Sequence, residues 1–467
     1  MLGDSMSIFS RKTKIVLTTL MSLLFLQMLV SEMTVTSSGK SEEEPNSLLQ
    51  HIIRIELYSL EVNQKIQPPQ RLARIQGLAD RFLLEAEKDR QDPLLQAQNL
   101  ILLYEARANR NDKKMVAEIV GIEDDDPVLS RMLTQLYLDG NHGVPDTVQI
   151  VERLGMNWFS LTALIHNAER IGDRDTAERY QNERHDLSLL KIKKLGLLSV
   201  LLVTINLAGL FLWLRYFMSG KWRVPTVEKV IPRAPWNLLD GLFVFMFFYW
   251  AIMALAFCLE PLVEMGEGWG LTHARMAPFL YGVQIVTGLF LIQLFFFRRG
   301  LLQTLWAMGL MQKGSVRSDS IRWGIGGYVA TMPLVLAALY LSTRIFQNKA
   351  VSENPMIPLI MNESASVLET FFLFVTVSFL APVFEEIFFR GFLYNSFRAR
   401  LGMPAGLFLS SLFFALVHFD FSVFFGLFSI GLMLGFVYHR TQSLLAPMIL
   451  HSLWNTTTLI VVLVLFG

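Results

Sequence analysis

Apolar runs recur along most of the chain after residue 194, at about 195–214, 238–258, 277–297, 324–342, 367–384, 404–419, 423–438 and 443–466. Few folds accept such a pattern. Backbone N–H and C=O groups in hydrocarbon must be satisfied within their own segment, so runs approaching roughly 20 apolar residues predict membrane-spanning helices, the shorter ones relying on tilt or burial in protein. A further run, 15–30, follows Arg11, Lys12 and Lys14 and raises the expected number of spans to nine. With 52% hydrophobic residues in 467, the chain belongs among membrane proteins.

Residues 36–190 differ in kind. They are charged, with apolar positions at helical spacing, as in Leu72, Ile75, Leu78, Phe82 and Leu83. Turns are marked by Asp92-Pro93, Asp126-Pro127, Gly140-Asn141-His142-Gly143 and Gly172-Asp173. Short helices joined in this way resemble tetratricopeptide hairpins, although no fixed period runs through them. The predicted fold class is all-α: a polytopic transmembrane helix bundle with a separate extramembrane helical domain. Its expected divisions are an N-terminal anchor or signal sequence (1–35), the helical soluble domain (36–190), transmembrane helices before the polar motifs (191–360) and the motif-bearing transmembrane region (361–467). The run at 15–30 is long for a signal peptide and lacks a good small-x-small cleavage site, which favours an anchor.

Basic residues set an orientation. Arg215, Lys221, Arg223, Lys229 and Arg233, then Arg298, Arg299, Lys313, Arg317 and Arg322, then Arg398 and Arg400, then Arg440 fall on one side by parity, against Lys191, Lys193 and Lys194 on the other. That side is expected to be cytoplasmic, placing residues 36–190 outside a bacterial cell membrane. Asp240 reads as a helix-end residue at the interface. A net charge of +1 gives no footprint for nucleic acid, and a single cysteine, Cys258, excludes a disulfide framework or a cysteine metal site.

Within the apolar runs, Phe384-Glu385-Glu386-Ile387-Phe388-Phe389-Arg390 stands out. Each charge near a bilayer centre costs about 2.5–3.5 kcal/mol, so these three demand partners. Glu386 and Arg390, four residues apart, share a helix face, while Glu385 points about 100° away. Two further i, i+4 polar pairs follow, Phe414 with His418 and His451 with Asn455. Glu385, His418, His451 and Asn455 can converge from three helices if those helices are neighbours. Carboxylate and imidazole are the groups that activate water and stabilise an oxyanion, as peptide hydrolysis requires.

Glu-Glu-x-x-x-Arg, Phe-x-x-x-His and His-x-x-x-Asn, in that order, resemble the CPBP family of intramembrane proteases, which includes the CAAX prenyl endopeptidases and bacteriocin-processing, Abi-like members. Tyr438-His439-Arg440-Thr441 and the stretch from Ser443 to His451 are also similar to that family, and the resemblance covers roughly residues 365–460. It implies an intramembrane endopeptidase acting on a membrane-associated protein or peptide. In it Glu385 is the base on water with His418 alongside, His451 and Asn455 donate to the oxyanion, and Glu386 and Arg390 support. It also leaves two mechanisms open: Zn²⁺ on Glu385, His418 and His451, or a metal-free glutamate. No His-Glu-x-x-His, Gly-x-Ser-x-Gly or Gly-x-Gly-Asp occurs, which removes the usual zincin, serine-hydrolase and presenilin-type motifs. Two other classes compete: a non-catalytic membrane receptor or scaffold binding a protein partner through residues 36–190, and an ion-coupled transporter with intramembrane Glu and His.

Overall fold

The computed structural model describes residues 10–38, 47–63, 66–86, 93–106, 126–137, 147–155, 157–219, 238–268, 273–295, 308–310, 315–345, 366–420 and 423–466. Among them the chain forms helices and no strand, the all-α class that the hydropathy predicts. Helix α1 (Arg11–Ser38) opens the described chain. Two compact units follow from the packing: residues 40–200 with 464–466, and residues 1–39 with 201–463 and 467.

The first unit holds α2 (Ser47–Val62), α3 (Pro68–Ala86), α4 (Pro93–Ala106), α5 (Pro127–Tyr137), α6 (Thr147–Leu154), α7 (Trp158–Ile171) and the start of α8 (Arg174–Met218). Its helices begin where the sequence marks turns. Pro93 and Pro127 open α4 and α5, where a missing N–H is harmless, and Asp126 Oδ1 accepts the Leu129 N–H at 3.0 Å. Asn157 and Ser160 form a reciprocal capping box on α7. Helix α5 buries one stripe, Leu129, Met132, Leu133 and Leu136 repeating at i, i+3, i+4 and i+7. Arg184 of α8 lies over the Trp158 ring and 3.5 Å from Glu61, joining α8 to α7 and α2. The turn expected at Gly140 to Gly143 lies outside the described residues.

The second unit contains α9 (Leu238–Gly268), α10 (His273–Phe295), α11 (Ser315–Ile345), α12 (Val367–Val375), α13 (Ala381–Glu386), α14 (Asn395–Leu416), α15 (Phe424–Thr441) and α16 (Leu445–Phe466). Among the described residues, six helical stretches are long and apolar enough to cross a membrane: Arg174–Met218, Leu238–Gly266, Arg275–Leu294, Ser318–Ser342, Val367–Leu416 and Leu445–Val464. Nine were expected. The runs at 367–384 and 404–419 fall within one of these stretches, but Gly402 (φ 82°, ψ 174°) is non-helical and separates two helices there, a backbone conformation glycine reaches without a Cβ clash. The runs at 15–30 and 423–438 are α1 and α15, helical but not among the six.

The apolar surface points outward where lipid would solvate it. Leu197, Val200, Leu207, Leu210, Phe211 and Leu214 of α8 are all exposed, a stripe that water would penalise and hydrocarbon accepts. Inward, phenylalanines make the core: Phe388 packs on Phe245, Phe248 and Phe384 with ring centroids 4.5–5.9 Å apart. Asp240 lies in the first turn of α9, the helix-end position the sequence suggests, and its ion pair with Lys14 ties α1 to α9.

Candidate active site

The charged stretch sits where the helix changes its winding. π-helical segments Thr376–Leu380 and Ile387–Tyr394 flank α13, the short piece that carries Glu385 and Glu386. Such wide turns re-aim side chains and occur often at functional sites. The first has a readable cause. Ala381 N–H bonds to the Thr376 carbonyl five residues back; the next donor in that register would be Pro382, which has no N–H. The Val377 carbonyl is bonded instead by Asn455 Nδ2, at 2.8 Å from α16.

Glu386 and Arg390 are each 0% exposed and pair at 2.9 Å, the i, i+4 contact their spacing predicts. Arg390 also donates to the Gly431 carbonyl at 3.2 Å and stacks 4.5 Å above the Phe414 ring. The same Glu386 oxygen that accepts from Arg390 lies 2.8 Å from His451 Nδ1. A carboxylate there accepts the Nδ1–H and fixes the ring with Nε2 pointing away, a carboxylate-imidazole arrangement that orients the ring. His451 Nε2 then faces Glu385 Oε2 across 3.8 Å, too far for a hydrogen bond. That Oε2 is buried and has no hydrogen-bond partner among the described residues.

Tyr281, on α10, donates its hydroxyl to the other Glu385 oxygen at 3.1 Å. Close helix approach makes this reachable: a Cβ at Gly288, two turns along α10, would lie 2.6 Å from the Phe384 ring. Nothing local in the sequence points to Tyr281, a polar-tipped aromatic in an apolar run more than a hundred residues from its partner.

The structure thus joins Glu385, Glu386, Arg390, His451 and Tyr281 by direct contacts. His418 is placed differently from the expectation of a side chain inside a span. Helix α14 ends at Leu416, His418 lies exposed in the following turn, and its Nδ1 bonds to the Phe414 carbonyl at 2.7 Å. Its link to the cluster runs through the Phe414 ring, whose centroid is 5.0 Å from the His418 ring and 5.7 Å from the His451 ring. Among the described residues no hydrogen bond or ion pair joins His418 to Glu385, and no three His, Cys, Asp or Glu side chains are grouped as a metal-ligand set. Glu385, His418 and His451 therefore do not fit Zn²⁺ in this arrangement, and no step below uses a metal.

Asn455 has a stability signature. Asn455→Leu leaves the Val377 carbonyl unpaired and is expected to destabilise by about 1–3 kcal/mol. Adding Pro382→Ala supplies an N–H in the same register and is expected to shrink that loss, read as a coupling in thermal unfolding of the four proteins in detergent. Additive effects would contradict this bracing.

Fold and cluster together define a class: an integral membrane protein of helices with a buried and a partly buried carboxylate beside a histidine. Residues 367–457 match the family model described as type II CAAX prenyl endopeptidase Rce1-like, so this stretch of the chain is a domain of that family. The chain is similar to the membrane-embedded CAAX protease MroQ of Staphylococcus aureus (strain USA300), 29% identical over 141 residues, which are 29% of this chain and 55% of that protein. It is also similar to the UPF0177 protein YaiF of Lactococcus lactis subsp. lactis (strain IL1403), 40% identical over 84 residues, 18% of this chain and 37% of that one. The chain spans about half or less of the length of these curated relatives. No solved structure matches it.

Proposed function

We propose that this protein is an intramembrane endopeptidase that hydrolyses a peptide bond in a membrane-associated protein or peptide. The observation that carries the reading is the opposition of Glu385 Oε2 and His451 Nε2 across a 3.8 Å gap, the first held by Tyr281 and the second by Glu386. The Rce1-like match over 367–457 and the resemblance to a CAAX protease support the reaction class.

Glu385 accepts a proton from a water as that water attacks the carbonyl carbon. His451, steadied by Glu386, donates a hydrogen bond from Nε2 to the developing oxyanion. The C–N bond breaks, Glu385 delivers its proton to the leaving nitrogen, and a carboxylic acid and an amine depart. His418, at the exposed end of α14, borders the approach to Phe414 and positions substrate. A prenylated CAAX tail and an unprenylated signalling or bacteriocin-like peptide are the two substrate classes to compare, with residues 36–190, on the outer side, recruiting or gating them.

The test is incubation of a membrane-tethered reporter of each class with purified wild type and with Glu385→Ala, the products identified by mass spectrometry. Wild type is expected to yield a defined cut and Glu385→Ala none. Equal cleavage by both rejects the proposal.

A further inference from the structure

Apart from the carboxylate cluster, the ends of α8, α11 and α15 enclose a cavity of about 520 Å³. Three arginines line it, one from each helix: Arg215, Arg322 and Arg440. The remaining wall is largely aromatic and aliphatic, built around Trp213, Trp323 and Phe436. Trp213 Nε1 donates to the Ala330 carbonyl at 2.8 Å, which docks α8 on α11 and fixes one side of the space. Trp323 and Phe436 meet edge to face, 6.2 Å between centroids, and fix the other.

The charges here are poorly matched. Arg440 lies over the Trp323 and Phe436 rings at 5.6 and 5.8 Å, and among the described residues no carboxylate is within ion-pair distance of it or of Arg215. Among the described residues Arg322 pairs with Asp319, 3.8 Å away on the same helix, both side chains well exposed. Among the described residues, then, three guanidinium groups border an apolar hollow with one weak acidic partner. Guanidinium recognises phosphate oxygens in a bidentate fork, and rings beside it suit hydrocarbon and glycerol carbons. A soluble anion would use the arginines and leave the aromatic wall wet; a zwitterionic lipid would use the wall and bring its own cation to the arginines. An anionic phospholipid matches both halves, and these arginines lie near the ends of their helices, where a headgroup is expected on helices long enough to cross a membrane.

We propose that this cavity is a binding site for an anionic phospholipid, its headgroup phosphate held by Arg215, Arg322 and Arg440 and its glycerol and first methylenes resting on Trp213, Trp323 and Phe436. The site is independent of the hydrolytic reading. It is tested by native mass spectrometry of the delipidated full-length protein in detergent, titrated with phosphatidylglycerol, with phosphatidylcholine of the same acyl chains, and with inorganic phosphate. Phosphatidylglycerol is expected to bind most tightly. Each Arg→Gln change in Arg440→Gln, and in the triple variant with Arg215→Gln and Arg322→Gln, is expected to weaken it about fivefold while leaving phosphatidylcholine unchanged. The wild-type comparison of lipids stands even where a variant fails to fold. Equal binding of the two lipids, phosphatidylglycerol binding unaltered in a folded triple variant, or inorganic phosphate binding as tightly as phosphatidylglycerol would overturn the proposal.

Discussion

Glu385→Gln is expected to lower the single-turnover cleavage rate by about 10²–10⁴-fold, the range for loss of a positioned general base, while leaving the unfolding temperature close to wild type. The substitution keeps shape and an acceptor for the Tyr281 hydroxyl but removes the group that takes a proton from water. Substrate affinity should change little, because the loss falls on the chemical step. His451→Gln is expected to reduce the same rate constant, since its Nε2 faces the same reacting space. The double variant should be far less impaired than the product of the two single losses, as for groups that act as one unit. Multiplicative losses would mean that the two side chains serve separate steps.

The largest expected loss of stability is at Arg390. Arg390→Met removes the cation that, among the described residues, is hydrogen-bonded to Glu386 beside the His451 imidazole, and Glu386 is 0% exposed. A buried charge stripped of its partner costs about 3–5 kcal/mol, so the variant should unfold at markedly lower temperature in detergent. Replacing both members, Glu386→Leu with Arg390→Met, removes the uncompensated charge and is expected to recover much of the stability. It should not recover cleavage, because Glu386 also holds His451 Nδ1 at 2.8 Å. Separating the two readouts distinguishes an ion pair that only braces the helix from one that also aims the histidine. If the double variant both folds and cleaves at the wild-type rate, Glu386 has no part in orienting His451.

What could be read from the sequence followed from local periodicity. Glu386 and Arg390 meet because an i, i+4 spacing survives even where the winding widens, and Glu385 diverges from them as its 100° offset requires. The all-α class followed from apolar run length. Contacts that depend on tertiary register were not legible. Tyr281 reaches Glu385 from another helix through a close approach at Gly288, and no pattern near either residue encodes the meeting. Asn455 was expected to face an oxyanion; its bond to Val377 depends on a π register whose one sequence trace is Pro382. His418 was expected within a span because its run is apolar, but the chain leaves the helix at Leu416 and passes through a positive φ of 51° at Phe419. Hydropathy counts apolar residues and does not locate where a helix stops.

The most direct measurement is a single turnover of a cleaved reporter in water enriched in oxygen-18, followed by mass analysis of the new product carboxyl and of the enzyme peptide containing Glu385. If Glu385 acts on water as its opposition to His451 implies, the product gains one heavy oxygen and Glu385 gains none. Heavy oxygen in Glu385, with an unlabelled product from the first turnover, would show that the carboxylate attacks the substrate itself and would contradict the account.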